Sequence, residues 1–330
     1  METAFKIWRS SLVLALLICS FKSGAQTCCS GGVPISSNLG LPPEDAGWLQ
    51  ASLRYDLNLL NTLKSGAKTL EDDSRSRKTH SVLFQMGYSF TSRLSVDALF
   101  SWVRQERVIQ QFGQTDFTQT NGLGDAVLLF KYRLWNAKKN ASSFSAGLGI
   151  KAPTGAADLR NDDGLAIIAD LQPGTGAWDK VMWAQGVIQF ADRPGMNLSM
   201  TSVWSIKGVN EDYLDTQQYR FGKEWQGLLS WSDRHRLGTK NIDLVLVGRF
   251  RTVQEDKVNG QILPNTGGKW LFVQPGLSYW YRPDIFLSAY AEWPVYGQVQ
   301  GTQTAPSFRF NAGVFYRLSL KKQEELLPLF

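Results

Sequence analysis

The stretch GLGDAVLLFKYRLW, from Gly122 to Trp135, alternates in character residue by residue. Leu123, Asp125, Val127, Leu129, Lys131 and Arg133 fall on one side, which ends in charge. Gly124, Ala126, Leu128, Phe130, Tyr132 and Leu134 fall on the other, which is apolar and ends in aromatic rings and leucine. A period of two is the signature of a β-strand with one wet and one greasy face. One such strand also fits a soluble sandwich, so the decision rests on how often the pattern recurs.

It recurs twelve times, over 48–58, 80–90, 94–104, 122–135, 143–151, 177–190, 196–207, 219–231, 242–251, 269–281, 285–296 and 307–320. Connections after the odd-numbered segments are long and polar. Those after the even-numbered ones are mostly short, as in Thr91-Ser92-Arg93 and Arg282-Pro283-Asp284. A membrane barrel with both termini inside requires this alternation of short periplasmic turns and long outer loops; a sandwich does not. The pattern therefore predicts an all-β fold, a transmembrane up-and-down antiparallel β-barrel of about twelve strands. Trp48, Trp102, Trp135, Trp178, Trp204, Trp231, Trp270, Trp280 and Trp293 lie near segment ends, as girdles at two lipid–water boundaries would. Segment 177–190 is the least regular, because Val181 and Trp183 oppose Met182, Ile188 and Phe190.

Composition agrees. Only 19% of the 330 residues are charged, 12% are aromatic and 30 are glycine. Mean hydropathy is −0.21, which excludes a helical membrane protein. Residues 1–25 read as a secretory signal: Lys6 and Arg9, an apolar centre from Ser11 to Ser20, and small residues Ser23-Gly24-Ala25 for cleavage. Its apolar run is too short for a helical span, which needs about 20 residues. An irregular N-terminal periplasmic segment is expected over 26–46, the barrel over 47–320 and a C-terminal tail over 321–330. The net charge is +6. Lys6, Arg9 and Lys22 outweigh Glu2 by two charges, so removal of the signal leaves +4. The basic residues are dispersed and the chain is exported, so nucleic acid is not an expected partner.

If the greasy faces meet lipid, the opposite faces line the lumen. Candidate lining residues are Arg54, Asp56, Asp97, Asp125, Lys131, Arg133, Arg220, Glu224, Asp243, Arg249, Arg251, Glu292, Arg309 and Arg317. A basic residue facing mid-bilayer lipid costs ~2–4 kcal/mol, so these should point inward and pair. They suit either structural ion pairs or a selective pore lining. Leu99, Val103, Val127, Leu129, Val247, Phe272 and Phe315 fall on the same inward register. They suit a packed interior or a passage for apolar molecules, rather than a water-filled sugar pore.

Catalytic chemistry is sparse. The chain has two histidines. His80 begins the second segment and His235 falls in a periplasmic connection, at opposite boundaries, so they cannot share a metal or a triad. An enzyme and a cofactor are not expected. Cys28 and Cys29 are adjacent; in an oxidising compartment they form a candidate vicinal disulfide or a soft-metal ligand pair, with no histidine nearby to complete a metal site. The glycines of Gly122-Leu123-Gly124 and Gly147-Leu148-Gly149 precede no helix and are not phosphate loops.

Three motifs in order carry a resemblance: Gly122-Leu123-Gly124-Asp125 with Lys131-Tyr132-Arg133-Leu134; Gly147 to Gly155 (GLGIKAPTG); and Gly174 to Asp179 (GTGAWD). Together they resemble the outer-membrane protein family of the MetA pathway of phenol degradation, often called transporters. The resemblance implies an outer-membrane barrel, associated in some members with uptake of aromatic or other hydrophobic compounds. Cys28 and Cys29 are not part of that pattern. The resulting expectation is a channel in the bacterial outer membrane that passively admits a small hydrophobic or aromatic solute, with outer-membrane lipid around it and entry at the outer loops, especially 152–176. The alternative is a non-conducting barrel that binds or supports through those loops.

Overall fold

The computed structural model describes residues 45–137 and 142–320. The signal, Cys28 and Cys29, nearly all of the 26–46 segment and the 321–330 tail lie outside the described residues. Twelve long strands follow one another: β1 Trp48–Leu60, β2 Arg75–Ser89, β3 Leu94–Gln111, β4 Ala126–Asn136, β5 Ser143–Ala152, β6 Asp179–Phe190, β7 Arg193–Ile206, β8 Glu224–Leu237, β9 Lys240–Val253, β10 Gly268–Arg282, β11 Ile285–Val299 and β12 Phe308–Ser319. Each pairs antiparallel with its chain neighbours. The ring closes where β12 meets β1, with Trp48 opposite Ser319 and Leu59 opposite Phe308. Closure removes the free sheet edges that hydrocarbon would leave without hydrogen-bond partners. The chain is thus an all-β, twelve-stranded, up-and-down antiparallel barrel.

Alternation sets what each face meets. On β2, Val82, Phe84 and Met86 are exposed while Leu83 and Gln85 are fully buried. On β4, Phe130 and Tyr132 point out while Leu129 and Lys131 are about 1% exposed. The outer wall is a band of large apolar side chains. Moving each Leu, Phe or Met of such a band from water into lipid is worth ~1.5–3 kcal/mol, so the surface is stable only in a membrane. The chain is a transmembrane barrel.

The short turns lie at one end and the long connections at the other, which marks the latter as the outer end. Several strands run past the predicted bounds. Strand β3 continues to Gln111 and returns as Gln114–Leu123. Strand β2 begins five residues before His80, and β8 extends to Leu237, so His235 is a strand residue. The outer connections add two small sheets. Thr302–Ala305 pairs with Thr62–Ser65, which pairs with Lys68–Leu70. Asn210–Tyr213, Gln217–Arg220, Lys257–Val258 and Gln261–Ile262 form a four-stranded outer sheet.

The tryptophans divide. Trp102, Trp135, Trp178, Trp204, Trp231 and Trp293 are exposed on the outside. Trp270 is not a girdle residue: it faces inward, fully buried among Val253, Phe272, Val299 and Ala305. Its register opposite Arg251 puts it on the lumen side. Trp280 also faces inward, packed on Phe286 at a ring distance of 4.7 Å.

Candidate functional site

The lumen has two unlike walls. Leu83, Leu99, Val103, Val127, Leu129, Val181, Trp183 and Val203 form one apolar cluster on β2 to β4, β6 and β7. This explains the irregular alternation of segment 177–190: both faces of β6 carry apolar side chains, one set toward lipid and the other toward the lumen. Gly147 and Gly149 on β5 face the same interior. A Cβ on Gly147 would sit 2.7 Å from the Phe130 carbonyl oxygen and 3.2 Å from the Lys131 Cγ. The glycines let Leu129 and Lys131 lie flat against the wall.

The lumen also carries charge in pairs, some of them on the same strands. Lys131 Nζ lies 2.7 Å from Asp97 Oδ2. Gln85 donates to Asp97 at 3.1 Å and accepts from Arg54 at 2.8 Å. On the next strand pair, Arg309 holds Asp56 through Nε and Nη2, the latter at 2.6 Å, and Asn311 adds a bond at 3.0 Å. Arg249 grips Glu292 with Nε at 2.8 Å and Nη2 at 2.5 Å and also donates to Gln226. Arg251 donates to Glu224 at 2.9 Å. All of these groups are buried. Burying charges is tolerable only with such pairing.

Three further candidates lie near the periplasmic end. Arg133 is 3.7 Å from Asp45. Asp243 accepts from Arg234 and from the Trp280 indole, the latter at 2.7 Å. Arg317 lies over the Trp48 and Trp280 rings. Arg220, expected on the lumen face, lies elsewhere. It is exposed in the outer sheet and does not line the barrel. The strand β8 ladder starts only at Glu224; Phe221-Gly222-Lys223 breaks it, and the Gly222 amide is held instead by Asp256. His80 bonds Tyr55 at 2.7 Å near the outer end, whereas His235 meets Asp233 at 3.0 Å near the periplasmic end.

The outer mouth is where the three motifs converge. Asp125 receives four donors: Lys151 Nζ at 2.6 Å, Gly155 N at 3.2 Å, Thr175 N at 3.0 Å and Thr175 Oγ1 at 2.6 Å. Lys151 also reaches Asp179 at 2.9 Å, and Lys207 reaches it at 3.2 Å. Thr154 accepts from the Ala126 amide and donates to the Gly124 carbonyl. Gly155 and Gly174 touch backbone to backbone: a Cβ on Gly174 would lie 2.5 Å from the Gly155 carbonyl carbon. Gly174→Val is therefore expected to break this crossing. The check is loss of protease protection over 153–178 in a barrel whose heat-resistant migration on gels persists.

This node anchors an inward-folded loop. Residues 153–178 do not frame an open entrance; they turn down into the mouth, with Leu171 and Gln172 1–2% exposed. Arg77 on β2 holds the Asp170 carboxylate at 2.9 Å and also its backbone carbonyl. Gln105 donates to the Gln172 carbonyl at 3.1 Å and Thr120 to that of Leu171 at 2.5 Å. The Gln172 side chain clips the loop to itself through Leu159 and Ile167. Arg77, Asp170, Thr175, Asp179 and Lys207 were not among the sequence candidates. Asp179 and Thr175 lay in a recognisable motif, but nothing local revealed that Arg77 and Asp170, 93 residues apart, would meet.

Outside the membrane-spanning strands, burial pushes the Asp256 carboxyl up to about 6, with nearby Asp170 adding to the rise; bonds from Tyr219 and the Gly222 amide, and the charge of Lys207, oppose it. Burial likewise raises the Tyr219 hydroxyl. The folded outer sheet therefore holds the Asp256 proton more tightly than the unfolded chain does, whose carboxyl has the ordinary value of 3.8. Its stability falls as pH rises from about 3.8 to about 6 and then levels. Hydrogen exchange over 210–222 and 255–266 should show protection declining across that window, and Asp256→Asn should flatten the decline.

The solved structure of the COG4313 outer membrane channel from Pseudomonas putida F1 has the same fold, with a TM-score of 0.61 at 14% identity, covering 84% of this chain and 97% of that one. The β domain of the Bordetella autotransporter BrkA aligns at 11% identity with a TM-score of 0.45, covering 83% and 100%. A deltaS2S3 mutant of the TodX monoaromatic hydrocarbon channel aligns at 10% with a TM-score of 0.44, covering 88% and 93%. No curated protein sequence matches. Residues 107–317, which span all three motifs and the strands from β4 to β11, match the family described as "Putative MetA-pathway of phenol degradation", and the chain belongs to that family.

Proposed function

We propose that this protein is a passive outer-membrane channel for a small, apolar or aromatic solute, exported through the signal at 1–25, and that the inward loop at 153–178 controls admission. The observation that carries the reading is the apolar lumen wall around Trp183 and Leu129, lying beneath a tethered loop. A sugar pore gains nothing from eight buried apolar side chains, whereas an apolar solute that parts them exchanges water for an apolar surrounding. Membership of a phenol-degradation family and a fold shared with the Pseudomonas putida channel agree with this. The solute would enter at the outer mouth, displace or slip past the loop, and move down its gradient between the apolar wall and the paired charges. No reaction is involved, and the lumen residues named above act as lining.

The test is flux into liposomes holding the folded mature protein, with a small sugar and toluene compared against protein-free vesicles. Toluene uptake above the protein-free rate, with the sugar excluded, supports the reading. Equal passage of both would mean a general pore. No passage of either would favour a non-conducting barrel acting through its outer loops.

A further inference from the structure

A cavity of about 240 Å³ opens between the inward loop and the four-stranded outer sheet. Its floor is Ile168, Ala169 and Asp170 of the loop; Tyr213, Tyr219, Val258 and Leu263 form its sides. The Tyr213 and Tyr219 rings meet edge-on at 4.8 Å, and Tyr219 meets Phe221 at the same distance. Tyr219 and Phe221 are buried, so the aromatic side is held in place. Asp256 faces the same space. Tyr219 donates to its Oδ2 and the Gly222 amide to its Oδ1, both at 2.6 Å. Each carboxylate oxygen can accept a second bond.

We propose that this cavity is a docking site for a single-ring aromatic bearing one hydroxyl, its ring against Tyr213 and Tyr219 and its hydroxyl donating to Asp256. The proposal rests on the channel reading only for the place of the site on the solute's route. Size permits it, since an apolar cavity of ~150 Å³ already accommodates benzene. Chemistry selects it. A plain hydrocarbon would take water from the carboxylate without adding a donor to Tyr219 and the Gly222 amide, which is costly for a charged group. A hydroxyl donates to it without bringing a second charge out of water. The floor of the site is the loop that closes the mouth, and Asp170 in that floor is the residue Arg77 holds. A bound solute therefore touches the element that admission requires to move.

Equilibrium dialysis of the purified mature protein with phenol, toluene and benzylamine tests this. Phenol should bind saturably and ~10-fold or more tighter than toluene, the size expected for a hydrogen bond to a charged group. Leu263→Trp should abolish the phenol site, and the milder Val258→Phe should weaken it if the larger change impairs folding. Asp256→Asn should shrink the preference of phenol over toluene. Absence of saturable phenol binding to folded protein, equal binding of phenol and toluene, tighter binding of benzylamine, or phenol binding unchanged by both filling substitutions would each overturn the proposal. Flux is read separately in liposomes. Binding without flux would retain the site and remove the channel; flux without binding would do the reverse.

Discussion

Lys151→Met is expected to cost the protein about 3–5 kcal/mol, the usual penalty for removing one partner from a buried ion pair. The Lys151 ammonium sits between Asp125 at 2.6 Å and Asp179 at 2.9 Å. Without it, two carboxylates remain buried at one node, and Lys207 is placed against only one of them. The damage is local in kind. Asp125 also holds Gly155 and Thr175, so it ties both limbs of the inward loop to the barrel rim. The strand ladders are untouched. The variant should therefore keep its barrel, unfold at lower urea concentration and leak a small sugar that the wild type excludes. Unchanged urea midpoint and unchanged sugar flux would show that the node does not hold the loop.

Arg249→Met should be comparably severe for a different reason. Both Glu292 oxygens accept from this guanidinium, which also lies 4.0 Å from the centre of the Phe272 ring. Truncation takes from a buried carboxylate its two hydrogen bonds and its nearest charge, leaving only the more distant Arg309 and Arg251, at a cost of about 3 kcal/mol. Adding Glu292→Leu should recover much of that loss, because the poorly compensated charge, more than the missing bond, is what destabilises. Urea unfolding of the two single variants and the double variant measures the coupling. A double variant no more stable than Arg249→Met would refute the pairing. If Arg249 lines the path, the folded double variant should also change aromatic flux.

The barrel was legible because it rests on local periodicity. GLGDAVLLFKYRLW shows its two faces without reference to anything else, and twelve such stretches separated by alternating loop lengths leave one closed arrangement. The outer mouth was less legible because its contacts are long-range. Asp125 could be picked out as an inward charge and Lys151 lay in a motif, yet Thr175 meets them only because 153–178 folds down into the barrel, and no period marks that turn. The loop glycines carried a signal: Gly155 and Gly174 occur in motifs because two backbones cross there. Arg220 went astray through a boundary. The alternation of Tyr219 and Phe221 continues that of β8, but their apolar side chains pack in the outer sheet against Ala169. Trp270 was misplaced because position near a strand end does not tell which face a ring takes; register opposite Arg251 does.

The most direct test of the account replaces residues 157–172 with a short Gly-Ser linker and compares the variant with wild type in liposomes, reading small-sugar and toluene flux on protein shown to be folded. The account predicts that the wild type excludes the sugar and passes the aromatic, and that removing the inward loop admits the sugar several-fold faster while aromatic flux rises. Sugar flux that stays at the wild-type level in the folded variant would contradict the claim that this loop controls the mouth.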